Sequence, residues 1–291
     1  MEPFISDYKL LKASKKKTFR SYIRELVLTG LSAGSSKQHL KKPRVQFLYL
    51  HHIFKDEERK LDSLLKILAQ DHEFISYNDA VNKVLSGKID KPYITFSSDD
   101  GFKNNLRAAE ILNEYNAKAC FFINPGITGE TNFDKIKQYC NDILDFPPVE
   151  FLSWDEVEIL QKYGHEIGSH TMMHMNIAKA EAPAIIADMH ETYQILKDKC
   201  GNVSHFAFPY GRFFHFSKIG KDTVFETGFT SCATAERGCH ISSGTPIAKE
   251  DLCIRRDHLV LGWNMSHIMY FIIINAKNAD VNNNFYPNSL K

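Results

Sequence analysis

Short apolar runs alternate with segments of helical periodicity along this chain, and that alternation limits its fold more than any other feature. Apolar runs fall at 45–51, 93–98, 119–123 and 204–208, with shorter ones at 74–76 and 165–168. Between them, Leu61, Leu64, Leu65 and Leu68 repeat at the spacing of one helix face. Further helical patterns cover 78–85, 106–115, about 179–199 and 266–278. Ser153, followed by Asp155 and Glu156, reads as an N-cap with an acidic first turn, and Gly164 ends that helix. Residues 124–150 read as a long excursion and residues 212–262 as weak alternations. Strand and helix in turn predict an α/β fold with a parallel sheet. No GxGxxG turn follows any strand, so an open dinucleotide-binding sheet has no support. The expectation is a distorted (β/α) barrel, with its chemistry at the C-terminal ends of the strands.

With 43% apolar and 24% charged residues over 291 positions, the chain can build a large core. Its net charge of +1 gives no overall field that would attract nucleic acid. The six cysteines are scattered and form no CxxC pair, which points to free thiols in a reducing compartment. The N-terminus lacks the apolar stretch of a signal peptide, and the run IMYFIII at 268–274 is too short to span a membrane. A cytoplasmic protein is expected. Residues 1–44 read as an extension. It holds a basic helical stretch (Lys12, Lys15, Lys16, Lys17, Arg20, Arg24) around Phe19, Ile23 and Leu26, then a polar linker at 31–44. The basic stretch could touch an anionic membrane face, although packing on the domain is the simpler reading. Residues 45–291 are expected to form the (β/α) barrel domain.

Three strand ends carry chemistry. The run at 93–98 leads into Asp99-Asp100-Gly101, a carboxylate pair that serves as a helix N-cap in ordinary folds. The run at 165–168 leads into Ser169-His170-Thr171-Met172-Met173-His174, and two imidazoles four apart can chelate one ion. The third run ends in Pro209-Tyr210-Gly211, by itself only a turn. Each signal is weak alone. Together they bring two carboxylates and two histidines to one barrel mouth. Two imidazoles and one carboxylate suit a catalytic zinc with an open position, and the second carboxylate can take a proton from water.

These residues resemble the polysaccharide deacetylase family, the NodB-like carbohydrate esterases, over roughly residues 45–260. Thr95-Phe96-Ser97-Ser98-Asp99-Asp100-Gly101 is similar to the family's TFDDG motif, lengthened by two serines. His170-Thr171-Met172-Met173-His174 matches its H-S/T-x-x-H motif, approached through Trp154 and the segment from Gly164 to Gly168. Phe206-Ala207-Phe208-Pro209-Tyr210-Gly211 is similar to a third, and Tyr49-Leu50-His51 resembles the opening of a branch that acts on surface polysaccharides. The resemblance implies Asp99 as catalytic base, with Asp100, His170 and His174 as ligands of a divalent ion. Zinc is the first choice, with cobalt, nickel or iron as alternatives. It also implies the Tyr210 backbone N–H as an oxyanion donor. Ala207 stands where many members carry an arginine that orients the base. Arg255 or Arg256 is expected to replace it, with Arg256 preferred. The general acid has two candidates, His258 and His267, with His258 preferred. The fourth motif has no counterpart.

The implied activity is metal-dependent removal of N-acetyl groups, or O-acetyl groups, from an amino-sugar-containing surface polysaccharide or its precursor. A non-catalytic carbohydrate-binding barrel and an amidase on a small non-sugar substrate are the alternatives. A phosphate-handling enzyme lacks the Gly-rich loop it would need. Tyr210, Phe213, Phe214 and Trp263 are candidates for a sugar-stacking face, while His51 is expected at the mouth and His165 in a structural role.

Overall fold

In a computed structural model of the chain, residues 4–14, 27–31 and 36–290 are described. The strands are β1 (Arg44–Leu50), β2 (Glu73–Phe74), β3 (Pro92–Ser98), β4 (Ala119–Ile123), β5 (Glu166–Ser169), β6 (His205–Ala207), β7 (Ser231–Ala233), β8 (Cys253–Ile254) and β9 (Arg256–His258). Eight of them follow the order β8-β7-β6-β5-β4-β3-β1-β9, every pairing is parallel, and β2 adds to β3 from the side. The two ends of this order, β8 and β9, are separated in sequence by Arg255 alone. One short bent segment therefore pairs first with β7 and then with β1, and brings the two edges together into a nearly closed (β/α) barrel. The barrel is distorted at β3 too, where one edge is shared between β2 at Tyr93–Ile94 and β4 at Phe96–Ser98.

Strand alternation sorts the core into layers. Val45, Phe47, Tyr93, Cys120, Phe122, Ala207, Ala233 and Ile254 fill the barrel interior. Leu48, Leu50, Ile94, Phe96, Phe121 and Ile123 face outward against the helices. Tyr77, at the start of the helix Tyr77–Leu85, plugs the bottom of the barrel against Phe47, Phe122 and His205. The helix Glu58–Leu68 buries Leu61, Leu64, Leu65 and Leu68, the stripe its spacing predicts. Each such side chain contributes about 1.5–3 kcal/mol on burial. A third cluster lies over the mouth, where Leu11, Phe54, Phe102, Tyr139 and Phe151 join the N-terminal residues to the loop after β4.

The structure corrects three expectations. The excursion at 124–150 contains a helix, Phe133–Tyr139, capped by the Asn132 side chain. The stretch 212–262 contains another, Lys218–Thr227, whose buried side includes Gly220, Lys221 and Thr223 and so shows little apolar periodicity. The expected linker is ordered in its second half: Ser36 caps a 3-10 turn at Lys37–Lys41, Leu40 is buried, and β1 begins at Arg44. Most of the basic stretch that could meet a membrane lies outside the described residues. Among those described, no helix is long and apolar enough to cross a membrane.

Candidate active site

At the end of β3 the alternation carries through the two serines. Ser97 and Asp99 face the interior, whereas the Ser98 hydroxyl donates outward to the His51 carbonyl at 3.2 Å. Asp99 N–H donates to the Leu50 carbonyl, so the strand pairing with β1 continues one residue further. Asp100 and Gly101 then adopt left-handed backbone (φ 72° and 70°), which turns the chain sharply over the mouth. A side chain at Gly101 would press on Ile123 and strain that turn. Six non-glycine residues with positive φ occur among those described, and Asp100, Thr171, His174 and Tyr210 lie in the strand-end turns of this site. Strained backbone of this kind costs about 1–3 kcal/mol per residue and concentrates at functional sites.

Asp99 is gripped from both sides of its carboxylate. Arg256 Nη1 and Nη2 donate to Oδ1 and Oδ2 at 2.7 and 2.8 Å. The same guanidinium donates to Ser97 Oγ at 3.1 Å and to the Thr234 carbonyl at 2.8 Å. It also lies 4.4 Å from the Tyr49 ring centroid. Arg256 opposes Phe47 in the β1–β9 register, two residues below the end of the strand, and its length spans the barrel up to Asp99. Burial alone would raise the Asp99 pKa, but Arg256, with His170 and His51, outweighs it and the net shift is downward. Arg255 faces away, donating to the Arg237 carbonyl and packing over Phe213.

Asp100, His170 and His174 form the second group. Asp100 Oδ1 lies 3.5 Å from Nε2 of each histidine, and the three ligand atoms are all within 4.8 Å of one another. All three residues are buried, and Asp100 Oδ1 has no hydrogen-bond partner. His170 Nδ1 donates to the Ala207 carbonyl at 2.7 Å, which leaves its Nε2 lone pair facing Asp100. Asn124, fully buried at the end of β4, donates to the His170 and Thr171 carbonyls. Asp188 accepts the Met172 N–H. Burial pushes Asp100 up, yet the imidazoles of His170 and His174 beside it bring it well below the usual carboxylate range. His170 is lowered by burial but raised by more through Asp100, whereas burial holds His174 down at about 4. An orphaned carboxylate oxygen facing two imidazole nitrogens is a donor set that fits one divalent cation.

Asp99, Asp100, His170, His174, Tyr210 and His258 all line one cavity of about 360 Å³. His258 does not stand alone there. Its Nε2 shares a 3.1 Å hydrogen bond with His51 Nδ1, and its ring stacks on Tyr49. Burial lowers the pKa of both histidines and so favours their neutral forms. His267, the other acid candidate, bonds Thr29 and does not line this cavity. Of the expected stacking residues, Tyr210 and Phe214 are exposed, at 44% and 73%, while Phe213 and Trp263 pack against the core. His165 is structural, accepting the Ala119 N–H. Sequence reading missed Asn124, Asp188 and Tyr8. Asn124 follows a strand end directly and could have been found there. Asp188 and Tyr8 reach the site from elements whose placement no local pattern reveals.

A family model described as polysaccharide deacetylase matches residues 86–225. No curated protein sequence matches the chain. Among solved structures, the chain is similar to IcaB from Ammonifex degensii, with 16% identity, a TM-score of 0.64, and coverage of 81% of this chain and 98% of that one. It is also similar to the Streptococcus pyogenes deacetylase PplD, at 14% identity and TM-score 0.60, covering 78% of this chain and 97% of that one. A third is BC0361, a polysaccharide deacetylase from Bacillus cereus, at 16% identity and TM-score 0.59, covering 80% and 69%. At these identities the likeness is one of fold. The family match ends before Arg256 and His258, so the placement of those two rests on geometry.

Proposed function

We propose that this chain, whose residues 86–225 match the polysaccharide deacetylase family model, is a metal-dependent hydrolase of that family that removes N-acetyl groups from an amino-sugar-containing surface polysaccharide or its precursor. The observation that carries this reading is the division of labour between adjacent carboxylates: Asp99 is held by Arg256, and Asp100 converges with His170 and His174.

Asp100, His170 and His174 would hold the divalent cation, with zinc the best match to two imidazoles and a carboxylate, and cobalt, nickel or iron next. A cation bound there supplies Lewis acidity toward the acetyl carbonyl and makes water a competent nucleophile near neutral pH. Asp99 takes the proton of the attacking water. Arg256 keeps that carboxylate ionised and fixes its direction, while each carboxylate oxygen retains a lone pair for the proton. The Tyr210 N–H donates to the developing oxyanion, a type of contact worth about 3–4 kcal/mol in a well-studied protease. His258, hydrogen-bonded to His51, stands where it can pass a proton to the leaving amine once it has taken one up, since burial favours the neutral form of both rings. Acetate and a free amino sugar result; an O-acetyl substrate would yield an alcohol instead.

The six free thiols favour a reducing, cytoplasmic setting for this chemistry. The intact Asp99–Arg256 pair favours catalysis over a purely carbohydrate-binding role, which would have no use for it. Acetate release from a panel of N-acetylated sugars, with and without added cation, tests the proposal. Release that depends on cation supports it, and binding of the same sugars without release favours the non-catalytic alternative.

A further inference from the structure

The mouth of the cavity is not symmetrical, and the asymmetry bears on which unit of a sugar chain can enter. On the β1 and β9 side, the N-terminal segment crosses the opening. Tyr8 and Lys9 N–H groups donate to the two oxygens of the Asp56 carboxylate at 2.8 and 3.2 Å. Lys55 N–H donates to the Ser6 carbonyl, and Ile5 N–H to the Pro148 carbonyl. These four bonds tie the segment both to the loop after β1 and to the loop after β4. Tyr8 lies against the chain after β9 so closely that a Cβ at Gly262 would fall 2.0 Å from its ring. Tyr8, Phe102, Leu144, Phe146 and Leu261 make this side of the cavity a closed apolar wall.

The β5–β6 side is different. From His174 the aromatic rings run outward in steps, to Tyr210 at 4.7 Å, His215 at 5.0 Å from Tyr210, and Phe214 at 4.2 Å from His215. Tyr210 is exposed at 44% and Phe214 at 73%, with His215 partly buried between them. Aromatic faces offer the apolar side of a sugar ring a stacking surface, while the hydroxyls stay in water.

Building on the deacetylase reading above, we propose that the enzyme acts on the acetylated amino sugar at the end of an oligosaccharide, not on interior units. The terminal unit fills the cavity against the Tyr8 wall, and the following units leave over Tyr210 and Phe214. An interior unit would need the chain to continue through the wall that residues 5–9 close.

The test is the position of deacetylation in acetylated tetramers of glucosamine and of galactosamine, read by fragment mass spectrometry at low conversion with cation present. Wild type is expected to produce tetramers that have lost acetate from one terminal unit. The full-length Tyr8→Ala variant is expected to raise the interior share about tenfold, the effect of ~1.4 kcal/mol of steric exclusion removed. Interior deacetylation by wild type overturns the proposal and leaves the deacetylase reading intact. The same holds if Tyr8→Ala folds and keeps the terminal pattern. Absence of acetate from every acetylated sugar, tetramers and monomers alike, takes down the deacetylase reading and this inference with it.

Discussion

Asp99 and Asp100 are neighbours with opposite surroundings, and substitution should separate them. Asp99→Asn should lower turnover by about 10²–10⁴-fold, the usual worth of a general base, and leave cation binding unchanged by calorimetry. Asp100→Asn should weaken the cation itself. Arg256 extends the argument to stability, because removing one partner of a buried ion pair strands the other. Arg256→Met should cost about 3–5 kcal/mol in denaturant unfolding and lower kcat by at least about tenfold. Arg256→Met with Asp99→Asn should recover most of the stability and none of the activity. Recovery of activity in the double variant would show that Asp99 is not the base. The four residues of the Asp-Asp and HxxxH motifs were legible because their spacing is local. Arg256 was only half legible: strand alternation says that one of two adjacent arginines faces inward, but not that it reaches up past Tyr49 to Asp99.

At the scale of elements, the site depends on turns held from behind. Asp188, on the helix Ala182–Cys200, accepts the Met172 N–H in the middle of the HxxxH turn. Asp188→Ala should therefore weaken cation affinity by roughly 10–100-fold, as loss of groups that orient ligands does elsewhere, while leaving the fold intact by circular dichroism. An unchanged affinity would mean that Asn124 and the Ala207 carbonyl suffice. Amphipathic helices such as Glu58–Leu68 could be read from spacing because one face is wholly apolar. Lys218–Thr227 could not, since its buried side carries glycine, lysine and threonine. β8 and β9, at two and three residues, are too short to show a period at all, although they bring the barrel's edges together.

The whole molecule carries its buried histidines as a pH liability. Burial holds His72, His165 and His240 down at about 4, helped at His72 by Arg44 and at His165 by Lys118. Groups with a depressed folded-state pKa bind fewer protons folded than unfolded, so stability falls as pH drops from about 6.5 toward 4. Burial raises Asp188 and Asp257 to about 6, and these pull the other way over the same range. Three histidines against two carboxylates leave a net loss. The melting temperature should decline between pH 6.5 and 4, and His72→Gln should flatten that decline.

Cation-dependent deacetylation is the claim on which the account stands, and its most direct test is acetate release titrated against added cation. The protein would first be stripped by chelation and then supplied with zinc in steps, with an N-acetylated sugar present. The account predicts no release from the stripped protein, a linear rise to one equivalent per chain, and a plateau beyond it. Full activity in the stripped protein would contradict it, as would a rise that persists unchanged in the His170→Ala, His174→Ala double variant.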